Sequence, residues 1–255
     1  MLSEIYNRRQ VLRQLVIQQL TLRYRRTVLG FLWTLINPLL MMSVMAIVFS
    51  TIFKSDLKTF AVFLFSGMIP WTFFSSVATQ SGAAFINNEG LIKKIYLPKA
   101  IFPLSITISL LIDSALSFLA LFIIMLCLGA GVSVALLFVP ISFLLLFLFS
   151  FGIGLIMSIA TVFFRDLQHV MQIIIQGLFF LTPVLYKHEM FTGYVGILIR
   201  LNPVVPFIEI FRAPLYEGRM PSVDVICQAS IVAVVTFVLG LGVFLSQEKK
   251  IVFRL

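Results

Sequence analysis

Three arginines, Arg23, Arg25 and Arg26, stand directly before an uncharged apolar run that begins at Val28. Guanidinium groups bind phosphate oxygens through parallel hydrogen bonds, so such a cluster suits anionic lipids or another phosphate ligand. A basic cluster beside an apolar segment of spanning length also marks the cytoplasmic end of a transmembrane helix. The residues alone are compatible with both interpretations, phosphate contact and a signal for membrane topology.

Residues that could support catalysis or metal binding are sparse. None of the glycines is followed by lysine, so the sequence contains no Walker A loop. His169 and His188 lie in no motif, and Cys127 and Cys227 lack metal-ligand spacing and are expected to be small buried hydrophobic residues. Asp113, the acidic residue deep in an apolar segment, suits either a polar pathway or a structural hydrogen bond. The sequence therefore predicts a protein that is not an enzyme and has neither a metal site nor a cofactor of its own.

The composition indicates a membrane protein. About 60% of the 255 residues are hydrophobic, 27 are phenylalanine, and only 11% are charged, whereas a soluble domain carries roughly 25% charged residues. The net charge of +9 is concentrated in a few places: six arginines and one glutamate precede residue 31. The remaining basic clusters are Lys93, Lys94 and Lys99, and Lys249, Lys250 and Arg254. This is the positive-inside pattern of membrane proteins and not a nucleic-acid-binding face.

The elements that must position these residues are transmembrane helices. Apolar segments long enough to span about 30 Å of hydrocarbon lie at 31–53, 60–79, 101–129, 134–163, 167–186 and 223–246. We therefore predict an all-α integral membrane protein with six spans in a single transmembrane domain, 1–255. An even number of spans places both termini, including the basic tail 247–255, on the cytoplasmic side of the inner membrane.

Three further segments are predicted to form short helices outside the spans. Residues 1–22 have apolar and polar faces, which favours an interface helix, or a solvated helix, that leads into the basic loop ending at residue 30. The cytoplasmic segment 88–97 ends before Pro98 and serves either a partner protein or the membrane surface. The segment 187–221 holds two pieces too short to span, which form re-entrant helices of an outer gate or an extracellular cap.

The chain resembles the membrane subunit of ATP-binding-cassette transporters that export polysaccharide. Among these it is similar to the Wzm-like O-antigen permeases, to which the teichoic-acid and capsule permeases are related. The resemblance rests on four segments in the same order. They are Tyr24–Gly30 with Leu32, Trp33 and Asn37–Leu39; Asn88–Lys99 with Phe102–Ser105; Phe164–Leu167 with Phe179–Tyr186; and Leu201–Pro203 with Ile208–Arg212.

Aromatic residues are also frequent near the ends of the predicted spans. They form either an interfacial belt or a pore lining on which sugar rings stack.

The resemblance implies a role for each region. The chain would be the permease half of an ATP-driven exporter, a homodimer with two copies of a cytoplasmic ATPase that binds ATP and Mg. Its cargo would be a polysaccharide on a polyprenyl diphosphate; teichoic acid, capsule, a drug or a small lipid are the alternatives. The implied pathway or head-group contacts are Arg25, Arg26, Gly30, Trp33, Phe179, Phe180 and Tyr186. The implied ATPase-coupling residues are Glu89, Leu91, Lys93, Lys94 and Tyr96, and the outer gate residues are Asn202, Pro203, Glu209 and Arg212.

Overall fold

The computed structural model of the chain describes residues 2–24, 30–127, 133–187, 190–191 and 193–254. Within these ranges the regular structure is helical and includes no β-strand. The α-helices, in chain order, are α1 (Leu2–Asn7), α2 (Arg9–Tyr24), α3 (Trp33–Ile52), α4 (Leu57–Gln80), α5 (Glu89–Lys94), α6 (Ile101–Cys127), α7 (Val139–Phe163), α8 (Leu167–Leu181), α9 (Gly193–Leu201), α10 (Val205–Leu215), α11 (Val223–Gln247) and α12 (Ile251–Arg254).

The described helices include five that are long and apolar enough to cross a membrane. These segments are Leu35–Ile52, Leu57–Ala83, Ile101–Cys127, Val134–Phe163 and Val223–Lys250. The short helices α9 and α10 meet at a bend of 86° and form a sixth candidate if they are counted as one broken span. The predicted fold class is confirmed, including the pair of short helices before the last span.

The helix α8 is shorter than predicted. The sequence suggested one span over 167–186, but α8 has 15 residues and a length of about 22 Å, below the thickness of the hydrocarbon core. The helix ends because Thr182 precedes Pro183 and adopts an extended conformation, with φ −103° and ψ 127°. Residues 182–186 therefore form turns and bends and do not extend the helix.

The helix α4 forms the centre of the molecule, with 15 of its 24 residues buried. It packs against α3, α6, α7 and α10, which surround it with apolar side chains. We call the end of the bundle where α10 packs on α4 the α10 end. The opposite end, where α5 connects α4 to α6, is the α5 end.

The helices α7 and α11 approach each other more closely than any side chain at the crossing would allow. A Cβ atom added to Gly152 would lie 2.5 Å from the carbonyl oxygen of Thr236, and one added to Gly240 would overlap the main chain of Gly152. Small residues at a helix crossing let two backbones come into van der Waals contact, which is a main source of helix association within a membrane. These glycines therefore fix the position of α11 against the core.

The N-terminal segment differs from the single helix that its pattern suggested. It forms α1 and α2, separated by a turn at Arg8, the residue that interrupts the apolar face. The helix α2 packs on α6, with Leu15 and Val16 buried.

The expectation that the cysteines are buried is wrong. Cys127 and Cys227 are both exposed on the protomer surface. In a membrane-spanning bundle an apolar helix face is exposed to lipid as readily as it is buried in protein, so an apolar neighbourhood in the sequence does not establish burial.

Candidate functional site

The first proposed contact region lies mostly outside the described residues. Arg25 and Arg26 belong to the segment 25–29, which the structure does not describe. Gly30 follows with φ of +49°, a left-handed conformation that favours glycine. Trp33 is partly buried at the first position of α3, one helix length away from the α10 end.

The aromatic residues in the last turn of α8 and just after it come together at the α10 end. The ring of Phe179 lies 5.4 Å from that of Trp71 and 5.7 Å from that of Phe180. The hydroxyl of Tyr186 donates a hydrogen bond to the carbonyl oxygen of Phe180 over 2.7 Å. Phe180 itself is 71% exposed, so this aromatic group presents one ring outward and uses the others for packing.

The helix α8 has a polar face that the sequence analysis missed. His169, Gln172 and Gln176 are all exposed on the protomer and follow one another at helical spacing. Ile175 is the one buried residue of the helix. The sequence contained a signal for this face, because Gln172 and Gln176 lie four residues apart inside an apolar segment. Exposing their side-chain amides to lipid would cost free energy.

At the α5 end, the helix α5 exposes charged side chains on one face and packs Leu91 against the core with the other. Glu89 Oε1 lies 2.5 Å from Lys93 Nζ, one helical turn away. This hydrogen bond, followed by the charge of Lys93 and a smaller contribution from Arg165, holds the pKa of Glu89 below its usual value. Leu91 is half-buried and packs against the core, whereas Tyr96 is 84% exposed.

Two of the proposed gate residues hold the segment after α8. Asn202 is buried, and its Nδ2 donates hydrogen bonds to Thr182 Oγ1 at 2.8 Å and to the carbonyl oxygen of Leu181 at 3.3 Å. Its Oδ1 accepts a hydrogen bond from the main-chain nitrogen of Val204 at 3.0 Å, which fixes the bend between α9 and α10. Asn202 therefore joins the end of α8 to the start of α10.

Arg212 makes the second connection. Its Nη2 donates to the carbonyl oxygen of Val184 at 3.0 Å, and its guanidinium lies 3.8 Å from the centre of the Phe63 ring. Gly67 makes room for this contact, because a Cβ there would lie 2.8 Å from Nη2. We call Asn202, Arg212 and the segment that they hold, 181–184, the gate clamp.

The other two gate residues occupy different positions. Pro203 is exposed in the break between α9 and α10, where it lacks the N–H that a continuous helix would need. Glu209 is half-buried and lines a cavity together with Arg212. Across the described residues, no group of three or more His, Cys, Asp or Glu side chains is arranged to hold a metal ion.

The family described as ABC-2 type transporter matches residues 10–216 of this sequence. The chain belongs to the ABC-2 type transporter family. It is a multi-pass membrane subunit, a component without catalytic activity whose ATP is bound by a separate ATPase subunit. The match spans α2 to α10 and so includes both α5 and the gate clamp.

Relatives with assigned roles match over almost their whole length. The chain is 29% identical over 252 residues to the O-antigen export system permease protein RfbA of Myxococcus xanthus, which covers 98% of this chain and 97% of that one. It is 28% identical to the protein of the same name from Klebsiella pneumoniae, over 89% of this chain and 88% of the relative. It is 24% identical to the polysialic acid transport protein KpsM of Escherichia coli, over 92% of both chains.

Proposed function

We propose that this protein is the permease half of an ATP-driven exporter that moves a lipid-linked, O-antigen-type polysaccharide across the cytoplasmic membrane. The observation that carries the proposal is the similarity over 98% of the chain to a protein named for O-antigen export. Two copies form the pathway, two ATPase subunits drive it, and both termini lie in the cytoplasm. The positive charge near the N-terminus and in the tail supports this orientation.

The polar face of α8 supports a pathway along this helix. A glutamine side chain in hydrocarbon leaves its amide without a partner, which is costly. Gln172 and Gln176 are exposed on the protomer, so their favoured surroundings are a water-filled passage or a second copy of the chain. Phe180 continues this face toward the α10 end, where its exposed ring offers an apolar surface to the C–H groups of a sugar.

Cysteine labelling tests this pathway. In a background with Cys127→Ser and Cys227→Ser, Gln176→Cys should react with a hydrophilic maleimide because it faces water. Val235→Cys is the matched control, since Val235 is 50% exposed on α11 between the exposed apolar residues Ile231 and Leu239 and should face lipid. Equal labelling of both cysteines, or labelling of Val235→Cys alone, would show that α8 does not line a water-filled pathway.

The α5 region supports docking of the ATPase. Leu91 anchors the helix to the core, while Lys94, Ile95 and Tyr96 are exposed beside the Glu89–Lys93 pair. Exposed aromatic and apolar residues surrounded by charge are typical of a protein interface. Because α5 connects α4 to α6, it would transmit an ATP-driven movement of the partner to these two helices.

The basic segment before α3 supports contact with the diphosphate of the cargo. Arg25 and Arg26 precede the first span, where guanidinium groups meet phosphate oxygens of the lipid carrier. Replacing both with glutamine should abolish export while topology and surface abundance persist. Loss of insertion alone would leave these arginines as topology signals.

A second cargo has its own support, because KpsM is named for polysialic acid transport and matches 92% of the chain. Deletion of the protein in its native cell separates the candidates. Loss of the polymer attached to lipopolysaccharide, with lipid-linked glycan accumulating in the cytoplasmic leaflet, supports O-antigen export. Loss of a capsular polymer alone supports the second cargo, and an unchanged cell surface would exclude both.

A further inference from the structure

Two adjacent cavities at the α10 end form one cleft. The first has a volume of about 250 Å³ and the second about 170 Å³. Both are lined by Phe63, Lys187 and Tyr216, which lie at the boundary between them. We call the combined space the α10 cleft. It lies between the start of α4, the segment after α8 and the connection from α10 to α11.

One half of the α10 cleft is aromatic. Successive ring contacts run along it: Phe53 to Phe60 at 5.9 Å, Phe60 to Phe63 at 5.8 Å, and Phe63 to Tyr216 at 5.2 Å. Tyr186 adds a fifth ring to the lining of this half. The rings support one another, so they form a preorganised platform with little side-chain entropy left to lose when a ligand binds.

The other half is charged and contains both signs. Its lining includes the cations Lys187, Arg212 and Arg219 and the carboxylates Glu209 and Glu217. Arg219 and Glu217 form an ion pair with 2.6 Å between Nη2 and Oε2. Arg212 is 7% exposed, and its Nε has no hydrogen-bond partner among the described residues. The charged half therefore presents hydrogen-bond donors next to acceptors.

We infer that the α10 cleft binds one sugar residue of the exported glycan; this inference rests on the proposed function and names a further site for its cargo. A pyranose has C–H faces that pack on aromatic rings and hydroxyl groups that both donate and accept hydrogen bonds. The ring platform matches the first property, and the mixture of carboxylates and cations matches the second.

A lipid is a poorer match to the same cleft. A phosphate headgroup offers acceptors alone, so it would pair with the cations of this half but would leave Glu209 and Glu217 facing a like charge. An acyl chain would fill the aromatic half and make no hydrogen bond to the charged half. A neutral polyhydroxyl ligand uses both halves, which is why the charge pattern favours a sugar.

Saturation-transfer NMR on the full-length protein tests the site directly. The protein is placed in phospholipid nanodiscs, free of glycoside detergent, and the probes are methyl α-mannopyranoside, methyl β-galactopyranoside and N-acetylglucosamine. We expect saturation of the ring protons of at least one probe. Tyr216→Ala and Lys187→Ala should each weaken its binding, with Tyr216→Ala lowering the affinity about tenfold through loss of the platform.

Matched variants separate the cleft from general effects on folding. Tyr216→Phe keeps the ring and should bind like the wild type, and Lys187→Ala alters an exposed side chain without disturbing the core. Tyr194→Ala, in α9 and 89% exposed, removes a tyrosine outside the cleft and should change nothing. Saturation of phospholipid protons alone, or sugar binding that is equal in all variants, would overturn the inference.

A failure of this inference can be distinguished from a failure of the proposed function. If deletion leaves the cell surface unchanged while the probes still require Tyr216, the exporter proposal fails and the sugar site stands. If deletion removes the surface polymer but no probe distinguishes Tyr216→Ala from Tyr216→Phe, the cleft inference alone fails.

Discussion

Arg212 Nη2 donates a hydrogen bond to the carbonyl oxygen of Val184 at 3.0 Å, and this bond ties α10 to the segment that follows α8. The same guanidinium packs on Phe63 of α4, with its Cζ atom 3.8 Å from the ring centre. One buried cation thus connects three parts of the chain at the α10 end. Together with Asn202, which precedes α10, it holds the end of α8 and the residues after it against α10.

Removing this cation should destabilise the protein. Arg212→Ala loses a hydrogen bond and a ring contact and leaves a cavity, so we expect the free energy of unfolding to fall by about 2–4 kcal/mol. Denaturant unfolding of the purified protein in micelles measures the change. Arg219→Ala is the control: its ion pair with Glu217 is solvent-exposed and should be worth at most about 1 kcal/mol. Equal effects of both variants would contradict the gate clamp.

The crossing of α7 and α11 should tolerate no side chain at Gly152. A methyl group there would lie 2.5 Å from the carbonyl oxygen of Thr236, so Gly152→Ala must separate the two helices. We expect a loss of about 1–3 kcal/mol in unfolding free energy. Gly242→Ala adds the same atom to α11 in open space and should be neutral or slightly stabilising, because alanine is the better helix former. Similar thermal midpoints for both variants would refute the close contact.

The start of α4 should show a pH dependence that traces to Asp56. Asp56 Oδ2 accepts a hydrogen bond from the main-chain nitrogen of Thr59 at 3.1 Å, and this bond lowers the pKa of Asp56 from its usual value. Because the folded-state pKa is the lower one, the stabilisation is complete above the unfolded value and is lost as the pH falls through the folded value.

Substitution separates this cap from other acid effects. Asp56→Ala should lower the stability at pH 7, because it removes the side-chain cap from the first turn of α4. Asp56→Asn keeps an acceptor and should retain most of that stability while removing the part of the pH dependence that belongs to this carboxylate. Thermal midpoints measured between pH 3 and pH 7 give the comparison. A wild type and Asp56→Asn with identical pH profiles would show that the cap carries no such linkage.

Charge reversal on α5 should uncouple ATP hydrolysis from export. Lys93→Glu with Lys94→Glu removes the pair with Glu89 and places repulsive charge on the exposed face of α5. We expect polysaccharide export to fall at least about tenfold, since like charges across an interface cost several kcal/mol. ATPase activity in membranes that carry both subunits, measured beside export, gives the readout. Lys58→Glu, an exposed reversal at the α10 end, serves as the control and should leave both activities intact.

The positions of the helices follow largely from the sequence, because the bilayer requires long apolar segments and proline or charge marks their ends. Local chemistry also accounts for the early end of α8, since proline disfavours the helical conformation of the residue before it and Thr182 is extended before Pro183. It accounts equally for the break at Arg8, where a charge falls on the apolar face of the N-terminal helix.

The tertiary contacts could not be predicted in this way. Asn202 and Arg212 were singled out as gate residues, but their partners, Thr182 and Val184, lie 20 and 28 positions away in the chain. The contact between Gly152 and Gly240 likewise depends on how two helices cross, which a single sequence does not encode in any local pattern. Gln172 and Gln176 became notable only when the helix carrying them proved to be exposed.

The most direct test of the central proposal is transport by purified components. Proteoliposomes that contain the chain and its ATPase partner are loaded with lipid-linked polysaccharide in the leaflet that faces the ATPase. We predict that ATP moves the glycan to the opposite leaflet, where an impermeant glycosidase or lectin detects it, and that a nonhydrolysable ATP analogue does not. Efficient ATP hydrolysis without any movement of glycan would contradict the proposal.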